Sequence, residues 1–254
     1  MAKLINHITN QNIKLKKITN KSKYCIIFSD LFKLFLRYGS DKVIKSLDEI
    51  VNILIKENKT IILPTFNLNF PKTKKTGNSD KYIQTGFVNK YLIKRYNFKR
   101  TKKPMYNYAV IGPNSNKILN LKQTTAWGDD SVIGYLVKKC AFGIGLNIDK
   151  KFFNWLVIHY CEEKNRVPYR YYKMFRGKNI DMNLNVFEKM YVRNLNLNFV
   201  EDGRKINKIL ISKKIIKNLN FKKINISLLN LQKYYIEANK LLNKNIYALV
   251  KDEK

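Results

Sequence analysis

The sequence predicts an α/β fold, with helices covering a sheet, and three observations carry that reading. A strand, a helix and a second strand follow one another within about forty residues, the pattern of a βαβ unit. Short apolar runs recur downstream at Tyr108-Ala109-Val110-Ile111-Gly112 and Ala141-Phe142-Gly143-Ile144-Gly145. Apolar stripes at helical spacing lie between and after them.

Residues 1–23 are polar and basic and read as a short lead-in. Without a continuous apolar stretch they do not resemble a signal peptide. Cys25-Ile26-Ile27-Phe28 is the first strand, stopping at the polar Ser29-Asp30. Gly39-Ser40 opens a helix with Ser40 placed to cap it, and Val43, Ile44, Leu47, Ile50, Val51 and Leu54 form its stripe. Thr60-Ile61-Ile62-Leu63 is the next strand, ended by Pro64. Residues 65–80 are rich in Pro, Gly, Asn and Ser, a loop beyond a strand end where α/β proteins place functional groups. A helix is expected from Lys150 to about Lys164, with Phe153, Leu156, Val157 and Tyr160 on one side. A last amphipathic helix is expected near Ser227–Asn243, with Leu228, Leu231, Tyr235, Ala238 and Leu242 as its stripe. With no repeat and no linker, residues 1–254 read as one domain.

Composition narrows the function classes. Apolar residues make up 45% of the 254, enough for a substantial core. Fifty Lys and Arg against 18 Asp and Glu give a net charge of +32, which draws anions towards the surface. The basic residues are scattered among Ile, Leu and Asn, so most of this charge reads as compositional bias rather than one patch. Cys25, Cys140 and Cys161 are far apart and in no CxxC pattern, which fits reduced thiols in a cytoplasmic protein and neither a zinc site nor a disulfide framework. No apolar stretch approaches the ~18–20 residues of a membrane span.

Of the two histidines, His7 lies in the polar lead-in and reads as incidental. His159 stands in His159-Tyr160-Cys161-Glu162, late in a predicted helix, with Glu162 three residues on and on the same face. A carboxylate beside an imidazole fixes its tautomer and raises its basicity, as a general base requires. Cys161 is two positions from His159 and points to another helix face, so the two are not a nucleophile–base pair. Cys161 reads as a packing residue.

Six ordered segments give that pair a context: Phe28-Ser29-Asp30-Leu31, Leu63-Pro64-Thr65-Phe66, Arg100-Thr101-Lys102-Lys103-Pro104, Trp127-Gly128-Asp129-Asp130-Ser131-Val132-Ile133-Gly134, Phe142-Gly143-Ile144-Gly145 and His159-Tyr160-Cys161-Glu162. In this order and spacing the chain resembles the aminoglycoside 3-N-acetyltransferase family, departing from it at Phe28, Lys103 and Val132. The resemblance implies a single-domain, three-layer α/β/α fold with a central mixed sheet, acetyl-CoA as donor, and direct transfer to a primary amine. It implies His159 as base and Glu162 as its partner. Ser29 is expected at the oxyanion or the pantetheine arm, and Arg100 and Thr101 at the CoA phosphates or in a solvated basic turn. Ser131 serves equally as helix cap or ligand contact. Asp129 is expected near the acceptor, while Arg170 faces the acceptor or pairs structurally. No metal is expected.

The acceptor is an amino sugar on this reading, either an aminoglycoside or a precursor of a cell-surface glycan. Long-range repulsion of a polycation by a +32 protein favours an anionic glycan precursor, unless Asp129, Asp130, Glu162 and Glu163 build a local acidic pocket. The competing reading is a non-enzymatic nucleic-acid-binding protein, supported by charge and by Lys interleaved with Tyr and Phe. No zinc-finger spacing, recognition helix or ribonucleoprotein motif accompanies that charge, so no specific nucleic acid is expected.

Overall fold

Strand alternation divides the chain into two cores. In β1 (Tyr24–Ser29) Tyr24 and Ile26 point to one face, Cys25 and Ile27 to the other, and all four are buried. A strand buried on both faces belongs at the centre of a covered sheet, and there it lies. The computed structural model describes residues 22–148 and 156–252; the lead-in with His7 therefore falls almost wholly outside the described residues, as do Lys150 and Phe153.

After β1 come α1 (Phe32–Tyr38), α2 (Ser40–Lys56), β2 (Thr60–Pro64), α3 (Phe70–Thr73) and β3 (Lys75–Thr76). Next are α4 (Phe87–Tyr96), β4 (Lys99–Arg100), β5 (Tyr108–Ile111), α5 (Ser115–Leu119), α6 (Val132–Lys138), β6 (Phe142–Leu146) and α7 (Val157–Lys164). The rest comprises β7 (Arg170–Asn179), β8 (Leu184–Arg193), β9 (Phe199–Glu201), α8 (Arg204–Ser212), β10 (Ile216–Phe221), β11 (Ile224–Asn230), α9 (Leu231–Lys244) and β12 (Val250–Asp252).

Seven strands form the main sheet in the order β10-β11-β6-β1-β2-β5-β4. The inner three, β6, β1 and β2, are parallel, and β11, β10, β5 and β4 add antiparallel flanks. The sheet is mixed, as expected. β1, α2 and β2 form the expected βαβ unit, and Leu47, Ile50, Val51 and Leu54 of α2 cover the Ile27 face together with Val88 and Leu92 of α4. The Ile26 face is covered by α6, α7 and α9, with Trp127, Ile158 and Tyr234 among its fully or nearly buried side chains. Two helical layers enclose one sheet, giving the three-layer α/β/α architecture.

Several local expectations are corrected. Gly39, at φ +82°, holds the N-cap of α2, and Ser40 is the first helical residue with its hydroxyl turned to Asp41. Residues 65–80 are not all loop: they contain α3 and β3, and β3 pairs with β7. The last helix starts at Leu231, capped by Asn230, whose side chain accepts from Lys233 N–H. Ser227 and Leu228 lie in β11 because Leu228 is needed beside Ile144 of β6 to fill the far core. The long β7–β8 ribbon was not anticipated; its polar and basic residues hide the alternation that marks a strand. Among the described residues no helix is long and apolar enough to cross a membrane.

Candidate active site

Helix α7 fixes the geometry of His159. Val157, Ile158, Tyr160 and Cys161 are buried in the core, so the helix cannot rotate, and His159 is held at its rim with a side chain 19% exposed. Glu162, one turn on, is fully buried, and its Oε2 lies 3.3 Å from His159 Nδ1. The chain then turns through residues 165–169, and β7 begins at Arg170. Arg170 Nη2 is 2.9 Å from Glu162 Oε2 and donates to the Glu201 carboxylate, while Nη1 donates to Tyr191 O at 3.3 Å. Glu201 Oε1 stands 3.5 Å from His159 Nδ1. Glu201 comes from β9, which is held by antiparallel pairing with β12 at Val250.

Two carboxylates and one guanidinium thus meet at a single imidazole nitrogen, and together they set one net negative charge behind the ring. Burial acts to raise the Glu201 pKa, but His159 and Arg170 outweigh it and hold the carboxyl below its ordinary value. His159, Glu162 and Glu201 offer ligand atoms within 4.8 Å of one another. Arg170 supplies a cation between the two acids, and the cluster forms an ion-pair network.

Aromatic packing closes the other side of the ring. Trp127, 2% exposed, lies 4.9 Å from His159 between ring centroids at a 39° tilt. Tyr106 packs on Trp127 at 4.6 Å, and Phe66 on Tyr106 at 4.7 Å. Phe66, Tyr106, Trp127 and His159 come from or adjoin four of the six sequence segments, so those segments converge on one place. Ser131 caps α6, its hydroxyl accepting from Gly134 N–H at 3.0 Å.

The other expected site residues divide. Asp129 lines a cavity of about 430 Å³ with Asp130, Glu163, Lys164, Arg166 and Lys189. Its carboxylate is engaged by Tyr160 Oη at 2.9 Å and Lys164 Nζ at 2.6 Å, and the Lys164 hydrogen bond holds its pKa low. Glu163, unlike Glu162, faces this cavity, with Thr125 Oγ1 donating to it at 2.6 Å; burial pushes its carboxyl up. The four acids therefore do not form one acidic pocket: Glu162 belongs to the His159 cluster, and three cations share the cavity with the remaining three.

Arg100 directs all five of its N–H donors at the fold, to Asn107 Oδ1 twice and to the carbonyls of Thr65, Gly77 and Asn78. Thr101 is buried, and its hydroxyl accepts from Tyr108 N–H at 2.9 Å. In this arrangement both residues tie loops to β5. Ser29 pairs in register with Leu146, whose side chain lies in the α2–α4 core. That register turns Ser29 away from His159, and it is Phe28 that packs on the His159 side. Cys161 is fully buried, and burial pushes its thiol well above the ordinary range, which fits packing and not nucleophilic attack.

Glu201 and Trp127 were not singled out by sequence. Glu201 lies 42 residues beyond His159 in a weakly patterned stretch, and tertiary contacts, the β9–β12 pairing among them, bring it back. Trp127 stood in a recognised segment, and its size and aromaticity were the available signal.

Among solved structures the chain is similar to the aminoglycoside acetyltransferase AAC(3)-IVa apoenzyme, at 15% identity and a TM-score of 0.69, covering 96% of this chain and 90% of that one. It is similar to the YokD protein from Bacillus subtilis, at 16% identity and a TM-score of 0.68, covering 94% and 93%. A third likeness is to AAC-VIa bound to sisomicin, at 12% identity and a TM-score of 0.71, covering 94% and 97%. No curated protein matches the chain in sequence. These likenesses show the fold. The family model described as aminoglycoside 3-N-acetyltransferase matches residues 35–243, which include the His159 cluster, and the chain belongs to that family.

Proposed function

We propose that this protein transfers an acetyl group from acetyl-CoA to a primary amine of an amino sugar, with His159 as general base. The observation that carries this reading is the meeting of Glu162, Arg170 and Glu201 at Nδ1 of His159. With Nδ1–H donating to a carboxylate, the lone pair of Nε2 is the base. An amine at neutral pH is mostly protonated and becomes a nucleophile only as a base accepts its proton. The amine nitrogen attacks the thioester carbonyl, the C–N bond forms, and the proton passes to Nε2. The C–S bond then breaks, and the leaving thiolate takes the proton from Nε2 of His159, which restores the base. The imidazolium formed on the way faces Glu162 and Glu201, with Arg170 between them.

The acceptor proposed is an anionic amino sugar such as a glycan precursor. AAC-VIa and AAC(3)-IVa are described with sisomicin, a gentamicin and apramycin, so an aminoglycoside is the second reading. The balance of three acids by Lys164, Arg166 and Lys189 around the cavity supports the first, because that cavity adds no net negative charge to offset +32. The test is to incubate the protein with acetyl-CoA and a panel of amino sugars, sugar nucleotides and aminoglycosides, following free thiol. Release with sugar nucleotides alone supports the glycan acceptor, and release with aminoglycosides alone replaces it with the drug. Failure to bind CoA would overturn the enzyme reading, and a salt-sensitive gel shift with random DNA would then favour the nucleic-acid alternative.

A further inference from the structure

The ribbon β7–β8 ends in a turn, residues 180–183, that projects apolar side chains into solvent. Ile180, Met182, Leu184 and Phe187 are between 43% and 61% exposed. The tip is firmly mounted: Lys178 N–H donates to Lys74 O at 2.8 Å and Ile180 N–H to Thr76 O at 2.9 Å, and β3 pairs with β7 alongside. A cleft of about 810 Å³ runs beside it, lined by Lys74, Lys75, Arg176, Lys178, Ile180 and Phe187. None of these four cations has an acidic partner among the described residues. Of the ribbon's two acids, Glu188 is turned inwards and Asp181 stays exposed in the turn, tied to the neighbouring loop. Asp181 accepts from Asn78 N–H, and Glu188 is 1% exposed and accepts from the backbone N–H groups of Met105 and Tyr106.

We propose that this tip is an interfacial anchor that seats the protein on an anionic lipid surface, with Ile180, Met182 and Leu184 entering the headgroup boundary and Lys74, Lys75, Arg176 and Lys178 meeting the lipid phosphates. Apolar insertion and electrostatic attraction are the two signals that together give peripheral membrane binding, and the ribbon carries both at one end. Charge argues against a second copy, since two +32 chains repel and the tip sets one exposed acid, Asp181, against the four cations. A single-stranded nucleic acid would stack on aromatic side chains, and here the three foremost apolar residues are aliphatic.

The test uses the full chain and sedimentation with vesicles of phosphatidylcholine alone or with about one third phosphatidylserine at physiological salt. Binding is expected to the mixed vesicles only. The combined variant Ile180→Ser, Met182→Ser, Leu184→Ser keeps the charge of +32 and changes only exposed side chains. It should bind at least ~10-fold more weakly. In a separate variant, Met182→Trp, indole emission should shift to the blue on adding mixed vesicles. Acetyl transfer to a soluble acceptor should be unchanged in both. Equal vesicle binding by the triple variant would overturn the proposal and reduce the effect to net charge. So would no binding to either vesicle, or quenching of the tryptophan by single-stranded DNA without any response to lipid.

Discussion

Arg170 Nη2 lies 2.9 Å from Glu162 Oε2, with side chains 6% and 0% exposed, so each is the other's principal answer to burial. Arg170→Met would leave a carboxylate without water and without its cation. Removing one partner of a buried pair costs about 3–5 kcal/mol, because the remaining charge stays uncompensated. Denaturant unfolding at neutral pH should show a loss of that order. Arg170→Lys keeps the charge but gives up the planar fork that reaches Glu162, Glu201 and Tyr191 O together, so a smaller loss is expected. Equal stability of all three proteins would mean the pair contributes nothing.

His159→Ala should lower kcat by about 10²–10⁴-fold, the usual size of general-base catalysis, while CoA binding stays intact. Its side chain is partly exposed at the rim of the core, so unfolding should be little affected. Thiol release and CoA titration on the same preparation separate the two effects. Full activity in the variant would remove His159 from the chemistry.

What sequence could read here follows from periodicity. β1, α2 and β2 bury strong apolar patterns, and their places were legible at once. His159 and Glu162 were legible together because helical spacing makes them neighbours before any tertiary contact forms. Glu201 was not, since it reaches His159 through tertiary contacts, among them the pairing of β9 with a strand some fifty residues later. Arg100 shows the opposite difficulty. An arginine in a basic turn matches phosphate chemistry, yet Asn107 and three carbonyls, gathered from separate loops, take every donor it has. Local sequence states which groups a residue offers, and only the folded chain states which are already taken.

Gly134 is a close-approach position. A Cβ there would stand 2.3 Å from Gly128 O and 3.0 Å from Asp129 O, both backbone atoms of the turn that follows Trp127. Gly134→Ala must push α6 away from that turn, and the turn carries the indole that packs on His159. Overpacking of this kind costs about 1–3 kcal/mol, and acetyl transfer should fall with stability. Thermal unfolding and turnover measured side by side check it, and a variant with native values for both would place the slack elsewhere.

Glu188 supplies the pH dependence. Burial raises its carboxyl from 4.5 to about 7, although the N–H groups of Met105 and Tyr106 and the charge of Lys103 oppose the shift. Between those two values the folded protein holds a proton that the unfolded chain has released. Its contribution to stability is therefore complete below pH 4.5, declines as pH rises towards 7, and levels off above it. The decline amounts to roughly 3 kcal/mol at about 1.4 kcal/mol per unit. Glu188→Gln cannot titrate and keeps a carbonyl for the two backbone donors, so its stability between pH 5 and 8 should be flatter than that of the parent. The same loop carries Tyr106, which packs on Trp127, so ionisation of Glu188 acts close to the Trp127–His159 stack. Unfolding free energies at a series of pH values decide the matter: parallel curves for the two proteins would mean that Glu188 does not titrate in this range.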